Sequence, residues 1–248
     1  MIEFKGQTVV VGGGAGEIGA ATALMFARLG ATVSICDMNE ERGNEVAEEL
    51  RRFSPDSDFV RVDMTQLGEV EGWVDGVLER RKRIQVAVNT AGWTSSNRFV
   101  DEGPEYWRRV VDINLMSCVH LAHAVIPSMT EAAYGRVVLM SSLSGRIGRA
   151  KRSLYGASKA GVIGFSKALA REVAPDGITV NGVAPGTTET ALMRAQGEEN
   201  TRFALAGIPT GQIATVDDQA FAVCFLASRL SGQITGQTIS VDGGSTMV

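Results

Sequence analysis

Histidine and cysteine are scarce in this chain, with two of the first and three of the second among 248 residues. Cys36, Cys118 and Cys224 are odd in number and scattered, and His120 and His123 are expected on a helix interior or interface. That excludes a disulfide framework and a metal knuckle, so no metal is expected and the thiols should be buried and reduced. Positive charge is not in excess: 24 Lys and Arg face 28 Asp and Glu, a net charge of −4. A nucleic-acid surface would show a basic stripe, so no nucleic acid is expected as a partner. No apolar run approaches the ~20 residues of a bilayer span, and no membrane partner is expected. The first residues, MIEFKGQTVVV, carry an acid at position 3 and run straight into a strand, which is no signal-peptide pattern. A cytoplasmic protein is expected. Low-complexity linkers are missing too, so residues 1–248 should form a single domain.

What is present is ordinary for a globular protein, 44% hydrophobic and 21% charged residues, arranged as strands alternating with helices. Apolar or β-branched runs at 8–11, 32–36, 58–62, 84–88, 136–140, 178–183 and 238–241 give about seven strands. Helical periodicity covers 18–29, 40–53, 66–80, a long stretch at 105–129, and the segment after Tyr155, where Val162, Phe165, Leu169 and Val173 share a stripe. The pattern implies an α/β, doubly wound parallel sheet covered on both faces. Ligands bind such sheets beyond the carboxyl ends of the strands, where strand order reverses. The chemically interesting residues all fall just after strands.

The first strand is followed by Gly12-Gly-Gly-Ala-Gly-Glu-Ile-Gly19, which opens a helix. Glycines there permit a tight turn and close approach of backbone to a pyrophosphate at a helix N-terminus. Gly13, Gly16, Ile18 and Gly19 are expected against the phosphates, with Glu17 pointing away from them. Asp37 ends the second strand, where a carboxylate can accept from both ribose hydroxyls of an adenosine. With Met38 beside it and no cation in the loop, a 2′-phosphate is repelled, and NAD is expected rather than NADP. Asp63, next to Met64, either binds the adenine amino group or caps the following helix. Asn89, Ala91 and Gly92 form a small-residue turn where a ligand can touch backbone. Pro185, Gly186, Thr188 and Thr190 follow the sixth strand, and their hydroxyls suit a carboxamide. Asn114 sits mid-helix, and asparagine is a poor helix former that needs a reason to be there.

The chemistry belongs to SSLSGRIGRAKRSLYGASK, residues 141–159. Tyr155 and Lys159 are four apart and share one helix face. A tyrosine ordinarily holds its proton to about pH 10, and a fixed ammonium nearby favours the phenolate. Ser142, at a strand end, can join them in one cleft.

As a set these motifs resemble the short-chain dehydrogenase/reductase family, from Thr8 to Gly244. The Tyr-x-x-x-Lys is Tyr155 and Lys159; the serine is Ser142; the mid-helix asparagine is Asn114; the closing Val-Asp-Gly-Gly is residues 241–244. The resemblance implies a Rossmann-like domain, commonly a homotetramer, and a nicotinamide held in part by Tyr155 and Lys159. Tyr155 would exchange a proton with the substrate oxygen, Ser142 would hydrogen-bond it, and Asn114 would position a relay water. Gly12 stands where the family usually has threonine, Glu17 in the place of the middle glycine, Thr90 for a second asparagine and Thr188 for an apolar residue. The expected reaction is NAD-dependent interconversion of a secondary alcohol and a ketone, the small-molecule partner being anionic or cyclic. A 3-oxoacyl-carrier-protein or acyl-CoA-type reductase ranks second, because residues 130–134 and 174–177 carry no cation for an acidic carrier and such reductases usually take NADPH. An inactive nucleotide-binding scaffold ranks last, since no catalytic group is missing. Substrate contacts are expected from a loop at about 186–212 and from Trp93, Ser144, Arg152 and Arg194. Trp93 either caps a ring or packs. Arg146, Arg149, Lys151 and Arg152 are either a solvated face or, through Arg152 and Arg194, a site for a carboxylate, sulfonate or phosphate.

Overall fold

The computed structural model describes residues 1–194, 202 and 204–247. Seven parallel strands form one sheet: β1 (Thr8–Gly12), β2 (Thr32–Asp37), β3 (Asp58–Arg61), β4 (Val86–Asn89), β5 (Gly135–Met140), β6 (Ile178–Pro185) and β7 (Thr238–Val241). Their spatial order is β3-β2-β1-β4-β5-β6-β7, so the chain reverses direction between β1 and β4. Every residue of β1 and β5 is buried, because helices cover both faces. The helices α1 (Glu17–Arg28) and α2 (Glu40–Arg51) build one core, and α3 (Leu67–Arg81) belongs to the other. The doubly wound architecture is the one the sequence pattern implies.

The expected single helix at 105–129 is three pieces: α4 (Pro104–Val111), one π-helical turn (Asp112–Met116) and α5 (Ser117–Glu131). Asn114 explains the break. Its side-chain amide donates to the Val110 carbonyl one turn back, at 2.9 Å, replacing a backbone partner, and insertions of this kind let a helix take an extra residue per turn. By length and composition alone residues 104–131 are long and apolar enough to cross a membrane, which corrects the expectation that no such stretch exists. In the fold that composition serves burial: Leu121, Val125 and Met129 are fully enclosed against the sheet.

A short helix that the sequence reading omitted, α6 (Leu143–Ile147), follows β5, and α7 (Ser153–Val173) follows it. Beyond β6 come α8 (Ala191–Arg194) and α9 (Val216–Ala227), the latter packing with α1 in the first core. Of the expected substrate loop at 186–212, residues 195–201 and 203 lie outside the described residues.

Candidate active site

At the carboxyl ends of β1 and β4 the strand order reverses, and a crevice opens there in two connected halves. One, of about 830 Å³, is lined by Asp37, Met38, Asp63, Met64 and Thr65. The other, of about 450 Å³, is lined by Ser142, Ser144, Tyr155 and Lys159. Gly13, Gly16, Thr90, Gly92 and Trp93 line both and form the shared wall.

The glycine loop is shaped to admit a ligand to its backbone. Gly13 has φ +75°, and a Cβ there would stand 2.5 Å from the Ala91 amide nitrogen, so only glycine fits. Thr90, a departure from the family pattern, ties the loop to the turn after β4: its hydroxyl donates to the carbonyl of Gly12 at 2.8 Å, with that of Gly13 at 3.1 Å. Asp37 accepts from the Ala15 amide at 3.1 Å and the Asn39 amide at 3.0 Å. Its carboxylate is thus fixed at the loop's edge, with lone pairs left for ribose hydroxyls. A glycine cradle and an oriented carboxylate fit the diphosphate and adenosine of a dinucleotide.

Asp63 forms a local turn, Oδ1 accepting from the Thr65 amide (2.9 Å) and hydroxyl (2.7 Å), while it also lines the cavity. Of its two sequence readings, the helix cap is not realised, since Gln66 holds that position, and Asp63 still faces the cavity. Asn89, expected at the cofactor, lines neither half. Its fully buried side chain donates to Ser117 Oγ (2.9 Å) and accepts from the Ala91 amide (2.8 Å), so it pins the turn to α5 and offers a ligand no side-chain atom.

In the catalytic half, Ser142 caps α6: its Oγ accepts from the Ser144 amide at 3.1 Å, which leaves the hydroxyl proton to donate. Lys159 is only 3% exposed, donates to the Met140 carbonyl at 2.8 Å, and lies 6.0 Å from the Tyr155 ring centroid. The carbonyl orients the ammonium beneath the phenol. Asn114 is fully buried, accepting from the Trp93 amide (3.1 Å) and donating to its carbonyl (2.7 Å). Gly92 lies between the two: a Cβ there would be 3.3 Å from Asn114 Oδ1 and 3.5 Å from Lys159 Nζ. The π-turn therefore carries Asn114 behind Gly92, close to Lys159, although it lines neither half of the cleft.

Ile18, Gly19, Pro185, Gly186, Thr188 and Thr190 all line this half. Glu17 lines it too, and reaches across to α8, accepting from the Ala191 amide (2.7 Å) and from Arg194 (3.1 Å). Arg194 also faces Glu189 at 3.6 Å and does not line the cleft, so its charge is spent on two carboxylates. The run at 146–152 divides. Arg146 donates to the Thr238 carbonyl, away from the cleft. Lys151 is exposed, and Arg149 and Arg152 line the cleft. Trp93 is packed between the Arg109 guanidinium (4.1 Å) and the Tyr106 ring (5.6 Å), which makes it a braced wall of the cleft.

Sequence reasoning did not assign Arg149, Thr90, Tyr106 or Arg109 to the site. The first two lie inside motifs already singled out and could have been found there. Tyr106 and Arg109 come from α4, and only the fold brings them to Trp93.

Comparison with known proteins agrees with this geometry. Residues 13–246 match the family model described as enoyl-(acyl carrier protein) reductase. Among curated relatives, a 3-oxoacyl-[acyl-carrier-protein] reductase of Chlamydia pneumoniae is 38% identical over 99% of both chains. That of Escherichia coli (strain K12) is 34% identical over 100% of both. Among solved structures, gox2181 is 35% identical with a TM-score of 0.94, covering 98% of this chain and 97% of its own. An NAD+-bound xylitol dehydrogenase is 27% identical with a TM-score of 0.92, covering 97% and 99%. The chain belongs to the short-chain dehydrogenase/reductase family, and it is an oxidoreductase acting on a CH–OH group or the corresponding ketone.

Proposed function

We propose that this protein interconverts a 3-hydroxyacyl and a 3-oxoacyl thioester with NAD(H). The observation that carries the reading is the convergence of Ser142, Tyr155 and Lys159 on one end of a crevice whose other end presents Asp37, with Asn114 buried behind Gly92 beside Lys159. A bound nicotinamide supplies or accepts the hydride. In the reducing direction Tyr155 gives its phenolic proton to the substrate oxygen, and Ser142 donates a hydrogen bond to that oxygen as charge gathers on it. Lys159 sets its ammonium by the Tyr155 ring and would hold the ribose of the cofactor. Asn114, beside Lys159, holds a water that returns the proton from solvent. In the oxidising direction Tyr155 takes the hydroxyl proton back.

The acyl class is supported by relatives that match over their whole length and are named for 3-oxoacyl substrates. The sequence-based argument against it does not hold. Residues 130–134 and 174–177 lie before β5 and β6, at the amino edge of the sheet, whereas the cleft opens at the carboxyl edge. Their lack of cations says nothing about this cleft. NAD in preference to NADP rests on Asp37, whose carboxylate would meet a 2′-phosphate. A second reading, a secondary alcohol without an acyl group, is favoured by the likeness to the NAD+-bound xylitol dehydrogenase. The same family resemblance leads us to read the protein as a cytoplasmic homotetramer, which light scattering on the purified protein would check.

The test is the purified protein with acetoacetyl thioesters, of coenzyme A and of an acyl carrier protein, against NADH and NADPH, followed at 340 nm, beside a panel of cyclic, aliphatic and polyol secondary alcohols with NAD. Thioester turnover with NADH exceeding every simple alcohol supports the proposal. Efficient oxidation of a simple alcohol with no thioester turnover rejects it in favour of the second reading.

A further inference from the structure

The catalytic half of the crevice has an unbalanced charge. Among the described residues lining it, Glu17 is the one carboxylate, and Ala191 and Arg194 already occupy its oxygens. Against it stand Lys159, Arg149 and Arg152. Lys159 is committed to the Met140 carbonyl and to Tyr155. Arg149 and Arg152 form no ion pair with any described residue. They are three apart, where the chain enters α7, and the Arg152 amide closes the turn on the Arg149 carbonyl at 3.2 Å. Arg152 is the residue just before α7, one turn ahead of Tyr155.

Arg149 is exposed, but two observations set the pair apart from a wholly solvated charge run. Arg152 is half-buried, and burial, followed by the Arg149 cation, pushes its guanidinium below the usual arginine value. A guanidinium held out of water beside a like charge is costly unless something of opposite charge joins it. Secondly, the neighbouring Arg146 is turned away to β7, so the run is sorted by the fold, two of its members facing the reacting groups.

We propose that Arg149 and Arg152 form a subsite for an oxyanion carried by the substrate, a carboxylate, sulfonate or phosphate, and that this subsite sets which alcohol or ketone is accepted. The proposal deepens the reading above and rests on it. A forked guanidinium matches such a group through two parallel N–H···O bonds, and a second cation three residues away neutralises the remaining charge. Two sources supply the same chemistry: an acid group on the substrate's own carbon skeleton, or a phosphate on the arm of its thioester carrier.

Three substrates that share one carbinol separate these sources. They are 3-hydroxybutyryl-coenzyme A, the neutral N-acetylcysteamine thioester of 3-hydroxybutyrate, and free 3-hydroxybutyrate. Each is assayed for kcat/KM with NAD on wild type, Arg152→Ala, Arg149→Ala and Arg152→Lys, with circular dichroism to establish folding. For Arg152→Ala the loss should be on the order of 10- to 100-fold greater for an anionic substrate than for the neutral thioester. It should appear mainly in KM, and Arg152→Lys should restore part of it. A selective loss on the coenzyme A ester identifies a carrier phosphate, and one on the free acid a substrate carboxylate. Equal losses on all three, or none on any, overturn the subsite. Should wild type turn over none of them, the thioester reading falls by itself. The subsite is then judged by calorimetric titration of the NADH complex with acetoacetate and with coenzyme A. Saturable binding lost in Arg152→Ala upholds it, and absence of binding by both overturns it.

Discussion

In the cofactor half of the crevice Asp37, Asp63 and Thr90 spend side-chain oxygens on backbone groups of the surrounding loops, whereas in the catalytic half Arg149 and Arg152 have no carboxylate partner among the described residues. The first half is largely satisfied before anything binds, which makes it a rigid frame. The second half keeps donors in reserve for its occupant. Glu17 and the Asn114 turn join the halves. One ties the phosphate loop to α8, the other ties the Trp93 wall to α4.

The sharpest way to break this contrast is at Tyr155, which lines the catalytic half and not the other. Tyr155→Phe should lower kcat by roughly 100- to 10,000-fold while NADH binding, read by fluorescence titration, stays within a few-fold of wild type. Retained turnover in the folded variant would remove Tyr155 from the chemistry. Next in size is Asp37→Asn, which removes the charge and leaves one acceptor oxygen for the Ala15 and Asn39 amides, which bond separate carboxylate oxygens. NAD affinity should fall about 10-fold, the size of one charged hydrogen bond, and the preference for NAD over NADP should narrow. An unchanged ratio of the two would mean that Asp37 does not read the ribose.

Asn114→Ala tests the joint directly. It deletes bonds to Val110 and Trp93 from a fully buried position and should cost about 1–3 kcal/mol, seen as a lower Tm, together with a fall in kcat. Loss of stability without loss of kcat would confine the residue to structure. Glu17→Gln is milder, because Glu17 and Arg194 are 42% and 54% exposed. Less than about 1 kcal/mol is expected, appearing as a few-fold faster NADH release in stopped flow and no change in Tm. The smallest effect is expected at the cysteines. Burial raises the thiols of Cys36, Cys118 and Cys224 well above their ordinary values, so iodoacetamide should label none of them in the native protein and all three in urea. Native labelling of Cys36 would show that β2 opens.

Much of the site could be read without a structure because its residues are local in sequence or stand at strand ends. Tyr155 and Lys159 need only helical spacing to meet, and the glycine loop only a strand before it and a helix after. Asp37 needs a parallel neighbour: its strand pairs Gly12 with Cys36, which sets the carboxylate one residue past the loop. Periodicity failed at Asn114. A π-turn has no apolar signature of its own, and an asparagine inside an apolar helix announces an exception without saying which. The inward side chain of Asn89 was not legible either, since a residue in a strand-end turn can point either way.

The sequence by itself determined the alternation of strand and helix, the glycine cradle, the oriented acid and the reacting pair. Each depends on spacing along the chain, or on the rule that parallel strands place their carboxyl ends together. Only the tertiary structure decided how the four cations of residues 146–152 are used. It sent Arg146 to β7, paired Arg194 with Glu17 and Glu189, and left Arg149 and Arg152 facing Tyr155. A charge has no periodicity to betray its direction. Its partner is chosen by what the fold brings within reach, and here that choice separates a solvated surface from a substrate contact.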